Sequence, residues 1–150
     1  MPESRPLLVT LPITPKTYDI DFAAIVHNMV YIRWLEDLRT ALLVASHYPI
    51  EAMLADGFTP ILTQTEIAYQ RPVRFGDTVT GRMWLSHLGR TKWTVQAEIV
   101  TREHTAVTAT QHGYFADLKT LRPIRVPEQL RALYNARAEI EPQSGRKARR

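Results

Sequence analysis

Tyr18-Asp19-Ile20-Asp21-Phe22-Ala23-Ala24-Ile25-Val26-His27-Asn28-Met29-Val30-Tyr31-Ile32-Arg33-Trp34 is the stretch on which the reading of this chain turns. It starts acidic, crosses a short apolar run and enters a strongly patterned helix. A helix start offers backbone N–H donors that have no partner within the helix, together with a partial positive charge. Asp21 precedes such a start and stands where a carboxylate could act beside those donors.

The helix is the firmest element. From about Val30 to Ala45, Val30, Trp34, Leu38, Ala41, Leu42 and Ala45 share a face, and Ile32, Leu35 and Leu43 widen it. Arg33 with Asp37 and Glu36 with Arg39 form charge pairs on the other side. Asn28 suits the N-cap, since its side chain accepts from an early backbone N–H. So wide an apolar surface predicts a helix wrapped by other structure.

Outward from the helix, the chain reads as strands. Leu7, Val9, Leu11 and Ile13 alternate, and Pro12 and Pro15 mark residues 7–13 as an edge strand or lead-in. His47-Tyr48-Pro49 ends the long helix, and a short second one over Ile50–Ala55 closes at Gly57. Further strands are expected over 61–69, 78–88, 93–99 and 105–118. Turns at Arg71-Pro72 with Gly76-Asp77, at Gly89-Arg90 and at Glu103-His104 separate them. Pro127 opens a short amphipathic helix carrying Leu130, Leu133 and Tyr134. Consecutive strands with tight turns pair antiparallel, and one long helix covers a face, which is an α+β arrangement. Without a glycine-rich strand-to-helix turn, a nucleotide-binding α/β fold is disfavoured.

Bulk properties narrow the function. A chain of 150 residues suits one domain, and no apolar run approaches the roughly 20 residues of a membrane span. The start, Met1 to Pro6, lacks the build of a secretory signal, so a cytoplasmic setting is expected. Absence of cysteine excludes disulfides, thiolate nucleophiles and cysteine metal sites. The net charge of +4 comes from Arg146, Lys147, Arg149 and Arg150. The other basic residues balance the 15 acidic ones, so residues 138–150 read as a basic, disordered tail and no nucleic-acid surface is expected. His47, His87, His104 and His112 show no metal-ligand spacing. Taken alone, Asp21 reads most simply as a turn or capping residue, and His27 as a packing or hydrogen-bonding one.

Several segments, however, resemble the hotdog-fold thioesterases of the 4-hydroxybenzoyl-CoA thioesterase type. They are Asp19-Ile20-Asp21, Ala23-Ala24-Ile25-Val26, His27-Asn28, Tyr31 and Trp34-Leu35-Glu36. Tyr69-Gln70-Arg71-Pro72-Val73-Arg74-Phe75-Gly76-Asp77 and Gly89-Arg90-Thr91-Lys92-Trp93 follow in the same order, and Arg122-Pro123 and Val126-Pro127-Glu128 fit the ending. The resemblance covers most of residues 10–135. Two positions depart from it: Ala24 stands where glycine is usual before Ile-Val, and Phe22 follows the second aspartate in place of proline or alanine.

The resemblance implies an antiparallel sheet of about five strands wrapped around one long central helix, forming a domain over residues 1–137. It implies hydrolysis of an acyl-CoA or acyl-ACP thioester, with Asp21 as nucleophile or general base and the Asn28 backbone N–H polarising the carbonyl. His27 ranks behind them. Phe22 and Tyr31 are implied at the acyl pocket, and Arg90, Thr91 and Lys92 at the CoA phosphates. Glu66 is an alternative carboxylate, whereas Glu36 falls on the polar side of the helix. No metal or other cofactor is expected. An open sheet edge calls for a homodimer or homotetramer with the site at the interface. The rival readings are a dehydratase or hydratase on the same fold and a non-catalytic acyl-CoA-binding module.

Overall fold

A computed structural model describes residues 4–147, with side chains to residue 138. Strand β1 (Val9–Ile13) leads into a single 3-10 turn (Thr17–Asp19), the long helix α1 (Asn28–Ala45) and the short helix α2 (Ile50–Ala55). Four strands follow: β2 (Phe58–Tyr69), β3 (Val79–Leu88), β4 (Lys92–Thr101) and β5 (Thr105–Asp117). Helix α3 (Glu128–Lys147) comes last. The five strands make one antiparallel sheet in the order β1-β3-β4-β5-β2. The sheet packs around α1, and this is the hotdog fold that the resemblance implies.

Sequence periodicity accounts for the core. Val30, Trp34, Leu38 and Leu42 of α1 are buried, with Tyr31 and Leu35 widening the covered face. In β4, Trp93, Val95, Ala97 and Ile99 point inward and alternate with half-exposed residues. Leu38, Met83 and Ile99 lose all contact with solvent, and each such side chain contributes about 1.5–3 kcal/mol of transfer free energy. Gly113 has to be glycine, because a Cβ there would lie 2.1 Å from both the Ile61 carbonyl oxygen and the Trp93 ring.

The strand connectivity corrects one expectation. Strand β2 pairs with β5 and not with β3, so residues 70–78 form a crossover instead of a tight turn. Nine residues reach up to about 30 Å, while three strand spacings need only about 14 Å. The crossover is anchored where it passes the start of α1. Gln70 N–H donates to the Ala106 carbonyl at 2.8 Å, and Val26 N–H donates to the Val73 carbonyl at 2.9 Å. Val73 is fully buried beneath this path.

Helix boundaries shift as well. Helix α1 starts at Asn28, and His27 holds the N-cap position without a side-chain cap bond. Asn28 is therefore the first helical residue and not the cap, because His27 is the last with extended backbone. Helix α2 ends as expected, with Gly57 at φ 88°. Helix α3 continues past residue 137, where the sequence reading ends the domain. The side chains of the tail segment 138–150 beyond Ala138, and residues 148–150 altogether, lie outside the described residues. Among the described residues, no helix is long and apolar enough to cross a membrane.

Candidate active site

The segment ahead of α1 folds back on itself. Ile20 bridges Val26 in antiparallel fashion, Asp21 N–H donates to the Ile25 carbonyl at 3.0 Å, and His27 N–H donates to the Asp19 carbonyl at 3.0 Å. Phe22-Ala23-Ala24 forms the tip of this small hairpin. One oxygen of the Asp21 carboxylate accepts from Ala23 N–H at 2.8 Å and from Ile25 N–H at 3.2 Å. The second oxygen has no partner among the described residues, and the side chain is exposed. Asp21 thus fills the turn role that loop aspartates usually have, and still offers a free oxygen.

Asp19 behaves differently. It is 3 % exposed and accepts from Lys16 N–H at 2.8 Å, with Arg33 at 3.8 Å. Those contacts hold the 3-10 turn in front of the hairpin, so Asp19 is a positioning residue for the backbone.

Asn28 opens α1, and its N–H has no hydrogen-bond partner among the described residues. Being the first donor of an 18-residue helix, it carries the positive end of the helix dipole. Its carbonyl is fixed from the other side, where the Tyr69 hydroxyl donates to it at 3.1 Å. A small open cavity of about 220 Å³ is lined by Ile25, Val26, Asn28, Tyr31, Tyr69 and residues 70–72. A carbonyl oxygen seated there would lie beside the start of α1, where backbone N–H groups favour negative charge.

Tyr31 lines the same cavity but is 2 % exposed. Its hydroxyl accepts from Val73 N–H at 3.2 Å, and its ring meets Trp34 and Tyr69 edge-on, with centroids 5.2 and 5.7 Å away. Burial pushes its phenol above the ordinary value, and the bond from Val73 N–H partly offsets that. Tyr31 therefore ties the crossover to α1 while walling the cavity. His27 is exposed at the helix cap. Phe22 is fully exposed at the hairpin tip and lines no described cavity of the single chain.

Arg90, Thr91 and Lys92 lie elsewhere. They form the β3–β4 hairpin and line an open hollow of about 710 Å³ with Thr63, Gln64, His87 and His112. Pairing of Leu62 with Gly113 and of Lys92 with Tyr114 places this hollow toward the start of β2, whereas Tyr69 and Asn28 lie at its end. Seven residues of extended strand, roughly 23 Å, separate the two ends. A single chain therefore does not bring the carboxylate and the basic hairpin together. The sequence reading leaves His87 and His112 scattered; their shared hollow follows from the β2–β5–β4 register, which the sequence alone does not reveal. Glu66, on exposed β2, is bonded by Gln64 at 2.8 Å. Among the described residues, no three His, Asp or Glu side chains cluster as metal ligands.

A family model described as the thioesterase-like superfamily matches residues 15–133. No curated protein matches the sequence. Among solved structures, a 1,4-dihydroxy-2-naphthoyl-CoA thioesterase from Synechocystis superposes with a TM-score of 0.77 at 16% identity, over 85% of this chain and 95% of that one. A DHNA-CoA thioesterase from Staphylococcus aureus gives 0.78 at 16% identity, over 93% and 95%. A hypothetical protein from Staphylococcus aureus, solved in complex with CoA, gives 0.79 at 13% identity, over 89% and 84%.

Proposed function

The chain belongs to the thioesterase-like superfamily, and from that premise we propose that it hydrolyses an acyl-CoA or acyl-ACP thioester at the hairpin that joins Asp21 to α1. One observation carries the reading. The Asn28 N–H, at the positive end of α1, has no described partner and Asn28 lines a cavity, while a free Asp21 oxygen stands on the hairpin leading into α1.

In this reading the thioester carbonyl oxygen accepts from Asn28 N–H, which stabilises the charge that develops as the carbonyl carbon becomes tetrahedral. Asp21 either attacks that carbon directly or takes a proton from an attacking water. The C–S bond then breaks, the thiolate leaves and takes up a proton, and the acid is released, after hydrolysis of the acyl-aspartate in the first case. His27, at the cap position, ranks behind Asp21 and Asn28 as a general base or a substrate contact. Aromatic CoA thioesters suit the substrate class, in keeping with the two named structural neighbours, and CoA as carrier suits the third.

The complete site needs a second copy. Strand β2 is an edge strand with a largely exposed outer half, and unpaired edges of this kind favour strand addition. Antiparallel pairing of two β2 edges about a twofold axis would set the Tyr69 end of one copy beside the Ile61 end of the other. Asp21, Asn28 and Phe22 of one chain would then face Arg90, Thr91 and Lys92 of the second, whose cations would hold the CoA phosphates.

The test is thiol release from a panel of aliphatic and aromatic acyl-CoAs by the native chain and by Asp21→Asn. Hydrolysis that survives Asp21→Asn unchanged overturns the mechanism. Acyl-CoA binding without thiol release by the native chain would instead establish a non-catalytic binding module.

A further inference from the structure

At the β3–β4 hairpin, five consecutive carbonyls, Leu88 to Lys92, each accept a hydrogen bond. Arg131 of α3 donates to the first two, to Leu88 at 2.9 Å and to Gly89 through its other terminal nitrogen. Val126 N–H donates to the Arg90 carbonyl at 2.9 Å and Phe115 N–H to the Thr91 carbonyl at 3.0 Å. Gly89 N–H closes the turn on the Lys92 carbonyl at 2.8 Å. Arg131 is half-buried, and among the described residues no carboxylate pairs with it. Its guanidinium serves the hairpin main chain and not a salt bridge.

The donors are left over. Among the described residues, nothing accepts from the Arg90 or the Thr91 N–H. A trans peptide points its N–H opposite to its own carbonyl. Arg131 draws the Gly89 carbonyl toward α3, so the Arg90 N–H, in the same peptide, points away from that helix. Val126 draws the Arg90 carbonyl in the same manner, and the Thr91 N–H points away from Val126. Neither Arg131 nor Val126 lines the hollow of about 710 Å³, whereas Arg90, Thr91 and Lys92 do. No carboxylate lines it either, and His87 and His112 are the other lining groups able to carry positive charge. Successive free N–H groups at a turn form a concavity that suits anions, and here cations flank them.

We propose that Arg131 is the positioning residue for CoA phosphate binding: by holding the Leu88 and Gly89 carbonyls on α3, it presents the Arg90 N–H and the Arg90 and Lys92 cations to the nucleotide end of the substrate. This rests on the placement of the phosphates at Arg90–Lys92 under the thioesterase reading, and adds a residue that itself touches no substrate atom. Without Arg131, two carbonyls lose their partner. The Gly89–Arg90 peptide is then free to rotate, taking the Arg90 N–H off the phosphate and turning a partial negative charge toward it. Lysine cannot substitute in full, because a point donor lacks the rigid fork that meets two carbonyls at once.

Calorimetric titration of the full chain with CoA tests the proposal, beside hydrolysis of an acyl-CoA and of the matching acyl-pantetheine, which carries no phosphate. CoA is expected to bind the native chain. Arg131→Met should weaken CoA about tenfold and raise KM for acyl-CoA in step, with kcat and acyl-pantetheine turnover within about twofold. Arg131→Lys keeps the charge without the fork and should weaken CoA about threefold. Arg90→Ala combined with Lys92→Ala should weaken CoA about tenfold or more. Adding Arg131→Met to that pair should cost under about threefold, because Arg131 acts through the hairpin. If Arg131→Met does not fold, Arg131→Gln and Arg131→Lys carry the comparison.

Unchanged CoA affinity in Arg131→Met overturns the proposal while leaving the phosphate placement intact. Full recovery by Arg131→Lys also overturns it, by assigning the effect to charge alone. So does an equal loss of acyl-pantetheine turnover, a full tenfold effect on top of the hairpin pair, or failure of the native chain to bind CoA. CoA affinity indifferent to Arg90 and Lys92 would sink the phosphate placement and the proposal with it. The expected contrasts in CoA binding without thiol release would sink the thioesterase reading and leave Arg131 its role.

Discussion

The Tyr69 hydroxyl donates to the Asn28 carbonyl at 3.1 Å, joining the last residue of β2 to the first residue of α1. The Tyr69 ring lies against Tyr31, whose own hydroxyl accepts from Val73 N–H. Two tyrosines thus clamp the helix start between the end of the edge strand and the crossover. The clamp fixes the Asn28 carbonyl, and the peptide that carries the Asn28 N–H, the donor on which the proposed chemistry depends, is held by its His27 carbonyl, which accepts from Val30 N–H at 3.0 Å.

The two hydroxyls differ in burial, and that difference sets their effect on stability. Tyr31→Phe leaves the Val73 N–H without an acceptor in a buried position, which costs about 1–3 kcal/mol. Tyr69→Phe removes a bond at the surface, where water replaces it, and should cost about 0.5 kcal/mol. Urea denaturation of both variants beside the native chain reads the contrast. Equal costs would mean that Val73 N–H finds another acceptor.

Asp21 has a structural and a chemical role that two substitutions separate. Asparagine keeps an oxygen able to accept from Ala23 and Ile25 N–H, so Asp21→Asn should unfold within about 0.5 kcal/mol of the native chain. Alanine removes that acceptor and should cost about 1 kcal/mol more, as loss of a capping side chain does. Both should lower kcat/KM for acyl-CoA by about 100-fold or more, because neither supplies a carboxylate. An Asp21→Ala variant that is as stable as Asp21→Asn would count against the turn bonds.

Much of this is legible in the sequence. The helix period of Val30, Trp34, Leu38 and Leu42 and the alternation of Trp93, Val95, Ala97 and Ile99 are local patterns, and both appear as read. Gly57 marked the end of α2 because only a left-handed residue ends a helix that way without cost. Strand order was not legible. Pairing of β2 with β5 depends on the crossover at 70–78 passing over Val26 and Ala24, a contact between distant segments that no local period encodes. The same limit applied to Arg39. Arg39 on a helix's polar side looks like a solvated charge, and only the position of Gln111 on β5 draws it inward. Separation of Asp21 from Arg90–Lys92 also became visible only with the register.

Alkaline stability depends on Tyr48, whose hydroxyl donates to the Asp56 carboxylate. That bond, with burial and the nearby negative charge, pushes the phenol from 10.0 up to about 12. In the unfolded chain it ionises near 10.0, so between the two values the folded state holds the proton and the unfolded state does not. The contribution is fully present below the unfolded value and is lost as pH rises toward the folded one. Urea midpoints should therefore fall between about pH 10 and 12, and the fall should be shallower for Tyr48→Phe. Identical slopes would mean that the Asp56 bond does not form in solution.

Ala24 is held in the left-handed region at φ 58°. Its N–H donates to the Asp21 carbonyl at 3.0 Å, and its carbonyl accepts from Phe75 N–H at 2.9 Å, so the crossover and the hairpin fix it from both sides. An L-residue with a Cβ pays about 1–2 kcal/mol for this conformation, and it stands where the hotdog pattern has glycine. Glycine would remove that strain but lose about 0.5–1 kcal/mol more chain entropy on folding. The net expectation for Ala24→Gly is a gain of about 0.5–1 kcal/mol, or about 1–4 °C in Tm for a domain of this size. Turnover should stay within about twofold, because the bonds from Ala23 and Ile25 N–H that orient Asp21 do not depend on the side chain at position 24. A calorimetric scan showing Ala24→Gly no more stable than the native chain would place this turn in a different backbone conformation, and with it the direction in which the Asp21 carboxylate points.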